Sequence, residues 1–218
     1  GDLTYTYDPA GNRSGVGGSF AQTLLPDPVP TATYDAANRQ QTFSDRQMTY
    51  DANGNLTTIT EPGGIMTFTW DVRDQLTAMT SGPTAFTFAY DALGRRAGRV
   101  SDGRATTFQY SVTDVIREQE PTQEVSYLRG LGPDQTLLQG QGIGYLTDAT
   151  NNTIALVDPA GTITEAYSYE PFGKTLPTAS LTGNRYQFTG RERDSGDLYY
   201  YRARYYHAGL GRFIQRCR

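Results

Sequence analysis

The sequence predicts an all-β protein, an antiparallel strip of repeated β-hairpins, and three observations predict it. An aromatic residue followed by an acid recurs at a fixed step of twenty residues, at Tyr50-Asp51, Trp70-Asp71, Tyr90-Asp91 and, with serine for the acid, Tyr110-Ser111. Four places after each aromatic stands Gly54, Asp74, Gly94 or Asp114, residue types that tolerate positive φ and mark a turn. Between turns, apolar and polar residues alternate with period two, as in Met66-Thr67-Phe68-Thr69-Trp70 and Phe86-Thr87-Phe88-Ala89-Tyr90. A unit this small cannot bury its own apolar face, so the copies must stack on one another.

Taken from the N-terminus, Tyr7-Asp8 with Gly11 is a first copy, giving one hairpin half over Gly1 to Arg13. An insertion follows near residues 14–33, where Gly15, Gly17, Gly18, Pro26, Pro28 and Pro30 oppose a central strand and predict a loop or edge excursion. Tyr34-Asp35 with Asn38 resumes the pattern, which then runs regularly to Tyr110. From Val112 to Gly144 it loosens. Val125 to Leu128 reads as a strand, Arg129-Gly130-Leu131-Gly132-Pro133 and Gly140-Gln141-Gly142 as turns or a longer loop, and Val115 to Glu120 as a helical turn ended by Pro121. Two copies without the aromatic come next, Thr147-Asp148 with Asn151 and Val157-Asp158 with Gly161, then a full one at Tyr169-Glu170 with Gly173. Strands are expected over Thr153 to Val157, Ile163 to Tyr169 and Tyr186 to Thr189, and the run Tyr199 to Tyr206 as one strand. In that reading Tyr199, Tyr201, Ala203 and Tyr205 share a face, and Tyr200, Arg202, Arg204 and Tyr206 share the other.

Across nine copies the fourth position is always Gly, Asn or Asp, while the two before it vary. Backbone geometry explains that better than chemistry, and the acid is expected to accept backbone N–H groups round the turn.

Tyr-Asp followed by a small-residue turn at this spacing resembles the RHS/YD-repeat family. The resemblance covers essentially the whole chain, with repeats over residues 1–144 and, over 145–218, a closing segment that looks like the RHS repeat-associated core domain. It implies a long β-strip that spirals into a hollow shell, acting as a structural shell segment of a polymorphic toxin, secreted or at the cell surface, with a C-terminal payload and the rest of the shell as partners. It also implies a self-cleaving site of aspartyl-protease type. Arg191 and Asp194 match the family's Gly-Arg-x-x-Asp element, but His207 stands where many members have Asp, and Phe213-Ile214-Gln215-Arg216-Cys217-Arg218 replaces the Asp-Pro cleavage signature. Pairing of Asp194 with nearby arginines is the favoured role. A third reading, suggested by exposed Tyr and Trp, is a cell-surface carbohydrate-binding module.

Composition narrows the classes. One cysteine, Cys217, and one histidine, His207, exclude an intrachain disulfide and Cys- or His-rich metal sites, and no phosphate loop or nucleophile elbow implies a cofactor. No stretch has the length of apolar residues that crosses a membrane. The first residue is Gly1 and not Met, so this end reads as other than a translation start. Arginine carries the positive charge, with Lys174 the single lysine. From Arg185 onward the balance is +5 and the preceding part carries −9, so a basic end is expected to fold against an acidic strip. Interleaved Arg and Tyr between Tyr199 and Tyr206 would suit single-stranded nucleic acid, but the net charge of −4 argues against it.

Size sets a limit. Nine copies imply roughly 16 to 18 strands at about 4.8 Å spacing, which closed into a ring would have a radius of about 13 Å. A folded domain of about 100 residues already has a radius of gyration near that value. This length of strip is therefore expected to house no payload alone, and its open sheet edge to promote self-association.

Overall fold

The computed structural model describes residues 4–7, 9–11, 13–17, 29, 31–176 and 183–216. Strands β1 (Thr4–Tyr7) and β2 (Arg13–Gly17) form a separate antiparallel hairpin. One antiparallel sheet of fifteen strands follows, each paired with the next in sequence order. It opens with β3 (Ala32–Tyr34), β4 (Gln40–Phe43), β5 (Arg46–Tyr50), β6 (Leu56–Glu61) and β7 (Gly64–Trp70). It continues through β8 (Leu76–Ser81), β9 (Thr84–Tyr90), β10 (Arg96–Ser101), β11 (Arg104–Ser111) and β12 (Asp114–Gln119). It ends with β13 (Glu124–Arg129), β14 (Thr136–Gln139), β15 (Ile143–Thr147), β16 (Thr153–Val157) and β17 (Ile163–Ala166). The strip does not close on itself: β3 and β17 are its two edges. A two-stranded piece, β18 (Ser168–Tyr169) with β19 (Thr175–Leu176), leads to a four-stranded sheet of β20 (Glu192–Ser195), β21 (Leu198–Tyr201), β22 (Arg204–His207) and β23 (Arg212–Phe213).

Period-two alternation gives the strip a wet face and a dry one. On the wet face Thr49 meets Thr58 and Thr67 meets Thr80 through hydroxyl contacts of 2.6 and 2.8 Å. On the dry face Met48, Ile59, Phe68, Met79, Phe86 and Phe88 are buried, and what buries them is the C-terminal sheet, through Leu198, Tyr200, Tyr205, Leu210 and Ile214. Burying each such side chain contributes roughly 1.5–3 kcal/mol. A second cluster holds Phe108, Val115, Tyr145, Leu156, Tyr167 and Tyr186. The strip's dry face is therefore covered by the chain's own terminal segment.

The hairpins alternate between two connections. On one rim, five-residue loops such as Asp51–Asn55, Asp71–Gln75 and Asp91–Arg95 join strands, with a bulge at each preceding aromatic. On the other rim the turns are two residues long, at Pro62-Gly63, Gly82-Pro83 and Asp102-Gly103.

Five expectations are corrected. Asp114 is not a turn residue: the link after Tyr110 is a two-residue turn in which Val112 takes φ 55°, and Asp114 begins β12. With serine at 111, the copy lacks the carboxylate that caps its siblings' longer loops. Val115 to Glu120 is not helical; most of it forms β12, whose partners on both sides supply ladder hydrogen bonds that a lone helical turn lacks. Ser14 to Gly17 lie in β2 rather than in a loop, whereas Gly18, Pro26, Pro28 and Pro30 fall outside the described residues. Tyr186 makes only an isolated bridge, to Glu192, and Phe188–Gly190 is a 3₁₀ turn. Tyr199 to Tyr206 is a hairpin and not one strand: Tyr201 pairs with Arg204 across a turn in which Arg202 takes φ 58°. Tyr200 and Tyr205 consequently share a face, which the single-strand reading had separated.

Candidate functional site

The repeat turns are built alike. The N–H groups of Asp51, Asp71 and Asp91 each donate to the carbonyl four residues on, at 2.9 Å, and Gly54, Asp74 and Gly94 donate back at 3.0–3.1 Å. Positive φ at Gly54 (89°), Asp74 (54°) and Gly94 (78°) lets the chain reverse. The carboxylates fill the loops: Asp51 Oδ1 accepts the Asn55 N–H at 2.8 Å, Asp71 Oδ1 those of Arg73 and Gln75 at 2.8 Å, and Asp91 Oδ1 those of Leu93 and Arg95 at 2.9 Å. In the sibling loop at Asp35, the backbone N–H of Arg39 is the largest influence holding the carboxyl below its ordinary pKa.

Sequence reasoning missed the role of the aromatic. Trp70 Nε1 donates to Leu56 O at 2.7 Å, Tyr90 Oη to Leu76 O at 2.8 Å and Tyr110 Oη to Arg96 O at 2.8 Å, each reaching 14 residues back. Tyr50 reaches 10 residues back to Gln40 O at 2.7 Å, and Tyr169 reaches 16 back to Thr153 O at 2.6 Å. Arg129, read only as part of a turn, occupies the next slot, its Nε donating to Val115 O at 2.7 Å, again 14 residues back. The signal was present: each of these positions carries a donor at its tip, and none is Phe.

The carbonyl acceptors belong to the first residues after the loops, and these are sealed: Leu56, Leu76 and Arg96 are at most 1% exposed. Arg96 thus puts a guanidinium where two preceding repeats put leucine. It lies 4.1 Å from the Tyr200 ring centroid, between Phe88 and Phe108, and pairs with Asp194. Arg99 approaches the same carboxylate at 3.6 Å. Burial opposes the Arg96 charge, but Asp194 foremost, with Tyr205 and Glu192, holds its pKa above the ordinary value. Burial, then the neighbouring Arg185, pulls Arg99 down to about 10. Glu192, two places before Asp194 on β20, is buried too, and burial raises its carboxyl despite the attraction of Arg96. Arg185 pairs with Glu118 beside them.

Arg191 and Asp194 have different partners. The Arg191 guanidinium reaches Asp134 at 2.5 Å, and Arg202 bridges Asp134 and Asp114 at 2.7 Å each. Burial raises the Asp134 carboxyl, with Arg191 the leading opposing influence. Gly190 permits this approach, since a Cβ there would collide with the Asp134 carbonyl. Asp194 instead reaches back to β10, and its side chain is wholly buried. His207 is buried as well, and burial, followed by Arg46, drives its pKa down to about 4. The arrangement fixes the C-terminal sheet on the strip through ion pairs at one end and apolar packing at the other.

The sequence model described as Teneurin YD-shell matches residues 2–215. The tRNA3(Ser)-specific nuclease WapA of Bacillus spizizenii is 31% identical over 228 residues, covering 97% of this chain and 9% of that protein. Among solved structures, TcdB2-TccC3 without its hypervariable C-terminal region aligns at TM-score 0.56 with 18% identity, over 98% of this chain and 15% of that one. TcdB2-TccC3-Cdc42 aligns at TM-score 0.54 with 19% identity, over 98% and 16%. At these identities the structural likeness shows the fold alone. The chain spans less than a fifth of each of these relatives. No helix of the described residues is long and apolar enough to cross a membrane.

Proposed function

The chain belongs to the RHS/YD-repeat family as a YD-shell segment, and from that premise we propose that it is wall and closure of a shell that, in a longer protein, encloses a C-terminal payload of a secreted or cell-surface toxin. The observation that carries this reading is the fifteen-stranded strip whose dry face is held by the chain's own terminal sheet. The strip's dry face is already taken by its own terminal sheet, so a payload calls for further strip beyond β3 or β17. Those open edges are where the rest of the shell pairs, and in isolation they promote self-association.

The test begins with the gene on both sides of this segment. Many Tyr-Asp repeats upstream and a non-repetitive domain downstream support encapsulation; few of either defeat it. In the full-length protein, the downstream domain should resist protease while the shell is intact and become sensitive when the terminal sheet is loosened by Asp194→Ala. Equal digestion in both proteins overturns the payload reading. Light scattering of the isolated segment tests the edges: a monomer at every concentration counts against their pairing.

A further inference from the structure

Two sheets end side by side at the rim. β3 is the last strand of the fifteen-stranded strip, and β23 the last of the four-stranded sheet. They meet through Arg212, whose guanidinium lies 5.3 Å from the Tyr34 ring centroid. Between them and the loops at Ala37–Arg39 and Ala52–Gly54 opens a cleft of about 590 Å³, the size of a ligand pocket. Among the described residues its walls carry three arginines, Arg39, Arg212 and Arg216, and no carboxylate. The nearby acids are engaged: Asp35 holds Arg39 Nε at 2.6 Å, and Asp51 caps its own loop. Arg212 Nε is buried and has no hydrogen-bond partner among the described residues, while Arg216 stands exposed. In a chain of net charge −4 this is a local excess of cationic charge carried by Arg212 and Arg216, since Asp35 offsets Arg39, whose remaining N–H groups stay as donors.

We propose that the cleft docks an extended acidic peptide segment, laid along the free edge of β23 with its carboxylates on Arg39, Arg212 and Arg216. Two independent features select that occupant. Among the described residues the side of Arg212–Phe213 turned away from β22 has no strand partner, the strip's own bond, from Leu56 N–H, going to the next carbonyl, that of Ile214, so an added strand can pair with it. An added strand presents every second side chain to one face, which suits carboxylates spaced along a row of guanidinium forks. Tyr50 and Phe213, also in the walls, offer apolar surface to the stems of those side chains.

The test uses the full chain and fluorescence anisotropy, with a fluorescein-labelled peptide of alternating Glu and Val as probe and one of alternating Lys and Val as control. The acidic peptide should bind, lose affinity with added salt, and bind about tenfold more weakly to Arg216→Glu, where the exposed position leaves the fold intact. Arg39→Ala with Arg212→Ala should weaken it further, with circular dichroism confirming the fold. Proline at alternate positions of the peptide should also weaken it, because strand pairing needs its N–H groups. Equal binding of the Lys peptide, unchanged affinity in Arg216→Glu, or indifference to proline overturns the proposal. Displacement by pyrophosphate or by an oligothymidylate at concentrations matching the peptide overturns it in favour of a general polyanion site.

Discussion

The two halves of the docking face put opposite chemistry on the same backbone. At one point in three consecutive repeats stand Leu56, Leu76 and Arg96, all sealed, all with carbonyls accepting a tether from the following repeat. The leucine half holds the C-terminal sheet by area, which is indifferent to a small slip along the strip. The arginine half holds it by paired charges, and a slip there would leave guanidinium and carboxylate buried and unmatched. The comparison teaches that the apolar half supplies adhesion and the ionic half supplies register.

The sharpest way to break that division is Asp194→Ala. It strands two arginines in a closed site, and denaturant unfolding should show a loss of about 3–5 kcal/mol. Replacing Arg96 and Asp194 together with leucine extends the apolar half and should recover part of that loss, Arg99 staying without its carboxylate, while relaxing the docking register, visible as broadened amide signals from β20. If the double variant is as unstable as the single one, the ion pair contributes adhesion as well. Leu76→Ala probes the other half and should cost about 3 kcal/mol through the cavity it leaves.

A pH titration sharpens the contrast at the far end of the sheet. His207 has its folded pKa depressed to about 4 from an ordinary 6.5. Its neutral form favours the fold above the unfolded value, so stability should fall as pH drops from 6.5 through 4, by about 2–3 kcal/mol. His207→Leu should flatten that part of the profile, and an unchanged profile would rule the residue out. The smallest effect is expected at the rim: Tyr110→Phe removes one tether and leaves the Arg96 carbonyl without its donor, costing about 1 kcal/mol.

How much of this could be read from the residues depends on whether the cause is local. The strip was legible because its period, its alternation and its left-handed turn residues are all properties of short windows, and eight of the nine turns carry positive φ at the fourth position. Val112 breaks the rule because nothing in its side chain announces a tight turn. The Arg202-Ala203 turn hid for the same reason, containing neither Gly, Asn nor Asp. The pairing of Asp194 with an arginine was legible in kind, but its partners are not the arginines of its own segment. Arg96 lies 98 residues away, and only the arc of the strip brings it there. The tethers were missed because a ring at a strand end reads as packing, and only the shared donor at its tip separates Tyr, Trp and Arg129 from Phe.

Those tethers also give the strip a direction in time. Each donor reaches a carbonyl laid down 10 to 16 residues earlier, never later. A chain leaving the ribosome N-terminus first therefore meets every acceptor already in place, and each hairpin is proofread against the one before it. The terminal sheet follows the strip in the chain, and its contacts reach back across many repeats at once, as when Asp194 meets Arg96 laid down 98 residues earlier. Synthesis order and the order of closure coincide, so the wall is standing before anything arrives to seal it.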